Sequence, residues 1–116
     1  MNKVNPDATR TFSDAHEKSV CKALGARQMS NSGAGHFNKG DCTTEQFLIE
    51  CKTVMSPKQS VSIKKEWIEK NKQEAFGMRK PYQTVCFNFE PGGKNYYVIN
   101  ESLMKFLVDK LLEEDS

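Results

Sequence analysis

The sequence predicts a single α/β domain, and three observations carry that expectation. Apolar residues recur at helical spacing over 12–24, 63–76 and 102–113. They alternate with polar or small residues over 47–53 and 82–90. Between two strand-like runs lies Pro91-Gly92-Gly93-Lys94, a hairpin turn. At 116 residues the chain has room for one core and little more. Its 37% apolar and 28% charged residues set it among globular rather than disordered chains.

Residues 1–10 are polar, contain Pro6 and lack periodicity, so they are expected to form a mobile arm ahead of one domain over 11–116. Thr11 or Ser13 can cap a first helix running to about Leu24, with Gly25 as its stop. Phe12, His16, Val20, Ala23 and Leu24 mark its apolar stripe, and Glu17 sits beside it. Glu17 reads equally as a solvated helix residue beside Lys18. Arg27 to Met29 reads as a short edge strand. The small-residue loop from Ser30 to Gly40 can bring backbone N–H groups close to a ligand, although it is not a P-loop. After a second strand pair comes a loop with Pro57, then a helix capped by Ser62, running from about Ile63 to Phe76 and stopped by Gly77. Its stripe is Trp67, Ile68, Asn71 and Ala75, with Trp67 read as a core anchor rather than a base-stacking residue. Strands over 82–90 and 95–100 and a last helix over 102–113 complete the chain. That helix carries Leu103, Phe106, Leu107 and Leu111, widened by Met104, Val108 and Leu112 beyond what one sheet needs, which hints at a dimer interface.

No apolar run reaches the length of a membrane span and no secretory h-region opens the sequence, so the expected location is intracellular. Cysteines at 21, 42, 51 and 86 include no CxxC pair, which argues against a zinc ribbon and leaves small, reduced, half-buried cysteines. A zinc site drawing on His36 and Cys42 lacks the closely spaced ligand pairs such sites show. Residues 1–80 carry 14 Lys/Arg against 9 Asp/Glu, whereas 81–116 carry 3 against 6. The positive potential of the first part suits a polyanionic ligand, or simply a solvated lysine surface.

The chemistry concentrates in Gly40-Asp41-Cys42 and Phe47-Leu48-Ile49-Glu50-Cys51-Lys52-Thr53, two strands joined by a reversal at Glu45-Gln46. Alternation sets Phe47, Ile49 and Cys51 on one side, and Leu48, Glu50 and Lys52 on the other. Asp41 opens the preceding strand and can bring its carboxylate to the same point. Two carboxylates converging with an ammonium are what a hard divalent cation and an attacking water require. Glu-x-Lys on an edge strand is also commonly a weak solvated ion pair. The Phe-Leu-Ile run, however, predicts a strand buried on both faces, where charges need a partner or a task.

These elements together resemble the PD-(D/E)XK nuclease superfamily, and within it the small phage-type and archaeal-type Holliday junction resolvases. The likeness rests on Glu17, Ser32-Gly33-Ala34-Gly35, Gly40-Asp41 and the strand from Phe47 to Thr53, with a fainter echo in Ser62-Ile63, Glu66-Trp67-Ile68 and Glu74-Ala75. It spans roughly residues 12 to 100, and Gly40 stands where the superfamily's name has proline. The resemblance implies a restriction-endonuclease-like domain with a central mixed β-sheet flanked by helices. It implies a Mg²⁺-dependent DNA endonuclease, with Mn²⁺ as substitute, acting as a homodimer on branched or four-way DNA and leaving 5′-phosphate ends. Asp41, Glu50 and the Cys51 carbonyl would hold metal, Glu17 would support it directly or through water, and Lys52 would orient the attacking water. Ser30, Ser32, Gly33, Lys39, Lys58, Lys64 and Lys65 would contact the DNA backbone. The location implied is cytoplasmic, in the bacterial host if phage-encoded. A nuclease of another preference (nicking, flap or repair) and a catalytically inactive DNA-binding module of the same fold stay open.

Overall fold

The computed structural model describes residues 6–29 and 41–115. Helix α1 (Pro6–Leu24) leads into strand β1 (Arg27–Gln28). Strands β2 (Asp41–Thr43) and β3 (Phe47–Lys52), helix α2 (Lys65–Gly77), strands β4 (Tyr82–Phe87) and β5 (Tyr96–Val98), and helix α3 (Glu101–Asp115) follow in order. The five strands form one mixed sheet in sequence order, antiparallel except for the parallel pair β3 and β4. A parallel pair needs a crossover, and residues 53–81, with α2 at their centre, supply it. The α/β class and the mixed sheet flanked by helices are as expected from the sequence.

The first helix starts earlier than expected. Pro6 opens α1, so residues 6–10, assigned to an arm, are helical. A proline in the first turn gives up only an N–H that has no helical partner anyway. Residues 1–5 lie outside the described residues. At the other end Gly25 adopts φ +63° and Ala26 N–H donates to Cys21 O at 3.0 Å, the left-handed stop the sequence predicts. The buried stripe of α1 is His16, Glu17 and Val20, while Ala23 and Leu24 are exposed. Helix α2 starts at Lys65 with Lys64 extended before it, and no side chain, Ser62 included, caps it. Its left-handed residue is Arg79 (φ 58°), two positions beyond Gly77. Ile68, expected in the stripe, is exposed, and Asn71 and Ala75 are the buried positions.

Strand β3 is buried on both faces from Leu48 to Cys51, as its apolar run predicts. One face, with Cys42, Ile49, Cys51 and Cys86, closes against Val20 of α1 to form the core. The opposite face carries Asp41, Leu48, Glu50 and Val85 and lies toward α2, which contacts β3 and β4. Thr44 Oγ1 accepts from the N–H groups of Gln46 and Phe47 at 3.2 and 2.9 Å, fixing the β2–β3 reversal. Pro91 and Gly92 (φ +75°) form the centre of a turn closed by Gly93 N–H to Glu90 O at 2.9 Å, where only glycine takes the positive angle without strain. Asn100 Oδ1 accepts from Leu103 N–H at 2.8 Å and caps α3. Of that helix only Leu103 is buried, while Met104, Leu107, Val108, Leu111 and Leu112 are exposed. No helix among the described residues is long and apolar enough to cross a membrane.

Candidate functional site

Asp41 and Glu50 are direct Cα partners on the antiparallel strands β2 and β3. Cross-strand partners share a face, so the register alone sets the two carboxylates side by side. Both residues are buried, at 2% and 4% exposure. Lys52 follows on the same face of β3, with Nζ 3.4 Å from Glu50 Oε1. Its ammonium also lies 4.5 Å from the centre of the Trp67 ring, at the start of α2. An aromatic face attracts a cation without accepting its protons, so Trp67 steers Lys52 while leaving its N–H donors usable.

The electrostatics of this face are those of crowded anions. The Asp41 carboxyl is pushed up to about 8, first by burial and then by the negative charges of Glu50 and Glu74, with Cys42 and Glu17 adding. Asp41 Oδ1 is buried and, among the described residues, has no hydrogen-bond partner. A divalent cation would both supply that oxygen's partner and relieve the repulsion, so the donor set fits Mg²⁺ or Mn²⁺. Cys51 turns its side chain to the α1 face, which leaves only its backbone available on this side.

Glu17 is buried nearby, and burial raises its carboxyl against the opposing hydrogen bond from Gln28. Gln28 Nε2 donates at 3.0 Å to both Glu17 Oε1 and Asp14 Oδ1. Among the described residues Glu17 does not close a three-carboxylate cluster with Asp41 and Glu50.

Glu74 was not among the residues expected at the site, and it presses on Asp41 from α2. The signal was its spacing, three after Asn71 and seven after Trp67, which puts it on the sheet-facing stripe. Trp67 is half-buried and serves as the platform for Lys52, which the core-anchor reading missed. Of the expected DNA contacts, Lys58, Lys64 and Lys65 are exposed. Lys64 Nζ lies 5.7 Å from the Trp67 ring, and Lys65 pairs with Glu69 at 3.6 Å on the surface. Ser30, Ser32, Gly33, Lys39 and the candidate ligand His36 lie outside the described residues. No family model, curated protein or solved structure matches this chain.

Proposed function

We propose that the protein is a metal-dependent DNA endonuclease, with branched DNA of the Holliday junction type as its preferred substrate. The observation that carries this reading is the facing pair of buried carboxylates, Asp41 and Glu50, with Lys52 two residues along the same face. The buried Asp41 Oδ1, which has no hydrogen-bond partner among the described residues and lies beside other acids, supports a bound cation over a pair built for stability alone.

Asp41 and Glu50 would hold one or two Mg²⁺ ions, with the Cys51 carbonyl as a further oxygen donor. Bound Mg²⁺ supplies Lewis-acid polarisation of a phosphate oxygen and a more acidic water. Lys52, held between Glu50 and the Trp67 face, orients the attacking water and offsets charge gathering on the scissile phosphate. Exposed Lys58, Lys64 and Lys65 flank the start of α2 in sequence and offer cations to the phosphate backbone. The apolar face of α3, with Leu111 and Leu112 each 62% exposed, supports a homodimer, which would set two sites on two strands of a junction.

The test is Mg²⁺-dependent cleavage of a four-way junction, with duplex, flap and single-stranded DNA alongside and Asp41→Asn as control. Paired nicks in the junction alone are the expected result. Cleavage of the other substrates would retain the chemistry and remove the junction preference. An intact junction under Mg²⁺ and Mn²⁺ would leave DNA binding without catalysis.

A further inference from the structure

Behind the carboxylate pair, on the opposite face of the same strands, four sulfurs and an imidazole converge in the core. Cys42, Cys51 and Cys86 come from the adjacent strands β2, β3 and β4, and His16 enters from α1. His16 Nε2 lies 3.5 Å from Cys86 Sγ. The donor atoms of His16, Cys51 and Cys86 all lie within 4.8 Å of one another. Cys51 also hydrogen-bonds Cys42, whose Sγ is 3.4 Å from that of the half-buried Cys21. All four cysteines are free thiols, and Cys42 and Cys86 are fully buried.

We propose that His16, Cys51 and Cys86 form a structural zinc site that clamps helix α1 to the central strands, with Cys42, hydrogen-bonded to Cys51 but outside that three-residue cluster, shifting in as the fourth ligand. Sulfur and imidazole are the donors Zn²⁺ prefers, and three thiolates with one histidine is a recurrent closed tetrahedral set. The His16-to-Cys86 distance is close to the edge of such a tetrahedron, so that pair needs little movement on binding. The far side of the ring is also arranged for this. His16 Nδ1 is hydrogen-bonded to Thr53 Oγ1 at 2.8 Å. With Thr53 accepting from Nδ1–H, Nε2 keeps its lone pair directed at the sulfurs, as ligating histidines require. A core that needed only small apolar residues would gain nothing from a buried imidazole among its thiols.

The site is distinct from the carboxylate pair and does not depend on the nuclease reading. Asp41 alternates with Cys42, and Glu50 and Lys52 with Cys51, so the two faces share strands and not side chains. Ligation would release the thiol protons to solvent and leave the thiolates bound as a net-negative cluster. By pinning β2 to β3, the metal would also hold the register that sets Asp41 opposite Glu50.

The test uses the untagged full chain, purified without chelator from cells grown with added Zn²⁺. Metal analysis against protein concentration should find one Zn²⁺ per chain, and replacement by Co²⁺ should give the sulfur-to-metal charge-transfer and strong d–d absorption of tetrahedral thiolate ligation. Cys86→Ser and His16→Ala should each lower zinc content, whereas Cys21→Ser should not. If the variants fail to fold, the wild-type metal content and Co²⁺ spectrum still decide the matter. Substoichiometric zinc together with no Co²⁺ charge-transfer band would overturn the proposal.

Discussion

Lys52 Nζ is 4.5 Å from the centre of the Trp67 ring and 3.4 Å from Glu50 Oε1, so the one lysine of strand β3 is held by an aromatic face and a buried carboxylate together. Lys52→Ala should therefore lower cleavage by about 10²–10³-fold, the usual loss when one oriented donor at a reacting phosphate or carbonyl is removed. DNA affinity should change little, since one phosphate contact among several is lost. Trp67→Leu should cost cleavage roughly 2–5-fold by loosening the ammonium. Single-turnover rates and binding titrations on the same DNA check both, and undiminished cleavage by Lys52→Ala removes it from the mechanism.

The Asp41 carboxyl makes the metal-free protein sensitive to pH. Between its ordinary value of 3.8 and its folded value of about 8, the folded state binds more protons than the unfolded state. Stability must then fall as pH rises through that window, by an amount on the order of a few kcal/mol. The Tm of the metal-free protein should drop from pH 5 to pH 8, and Mg²⁺ should restore it at pH 8. Asp41→Asn should flatten the profile, because an amide does not titrate. A Tm that rises with pH in the metal-free wild type would mean that the fold does not hold the Asp41 carboxyl protonated.

Glu50→Ala should weaken Mg²⁺ binding, since a hard cation loses an anionic oxygen ligand. The same change removes the second-largest cause of the raised Asp41 value, so the pH dependence of stability should shrink with it. Calorimetric titration with Mg²⁺ and thermal melts across pH measure the two effects in one variant. Unchanged Mg²⁺ affinity would argue against Glu50 as a ligand.

Helix α3 rests on the sheet through Leu103 and a Phe106–Tyr82 ring contact at 6.2 Å, and leaves the rest of its apolar side open. Sedimentation should show a dimer, and Leu107→Glu with Leu111→Glu should convert it to a folded monomer. The monomer should nick junctions at one strand rather than two. A wild type that sediments as a monomer at micromolar concentration removes the dimer.

The carboxylate pair was legible because strand alternation is local. Phe47 to Lys52 announces a buried strand, and the two-residue reversal fixes Asp41 opposite Glu50. Pro6 was misread because proline marks both arms and helix starts, and here it opens α1. Gly77 offered a plausible helix stop, yet the left-handed residue is Arg79. Beyond it Lys80 is anchored by tertiary contacts, with Nζ donating to Thr44 O at 2.7 Å, a constraint absent from local sequence. The His16, Cys51 and Cys86 cluster was invisible for the same reason. Its members are far apart in the chain and meet only through the β3–β4 register and the docking of α1.

The most direct test of Asp41 as a metal ligand in a nuclease is junction cleavage by wild type and Asp41→Asn in matched Mg²⁺. Cleavage by the wild type should require the metal and disappear in Asp41→Asn, while both proteins still bind the junction. Equal cleavage by the two proteins, or none by the wild type with either Mg²⁺ or Mn²⁺, would contradict that role.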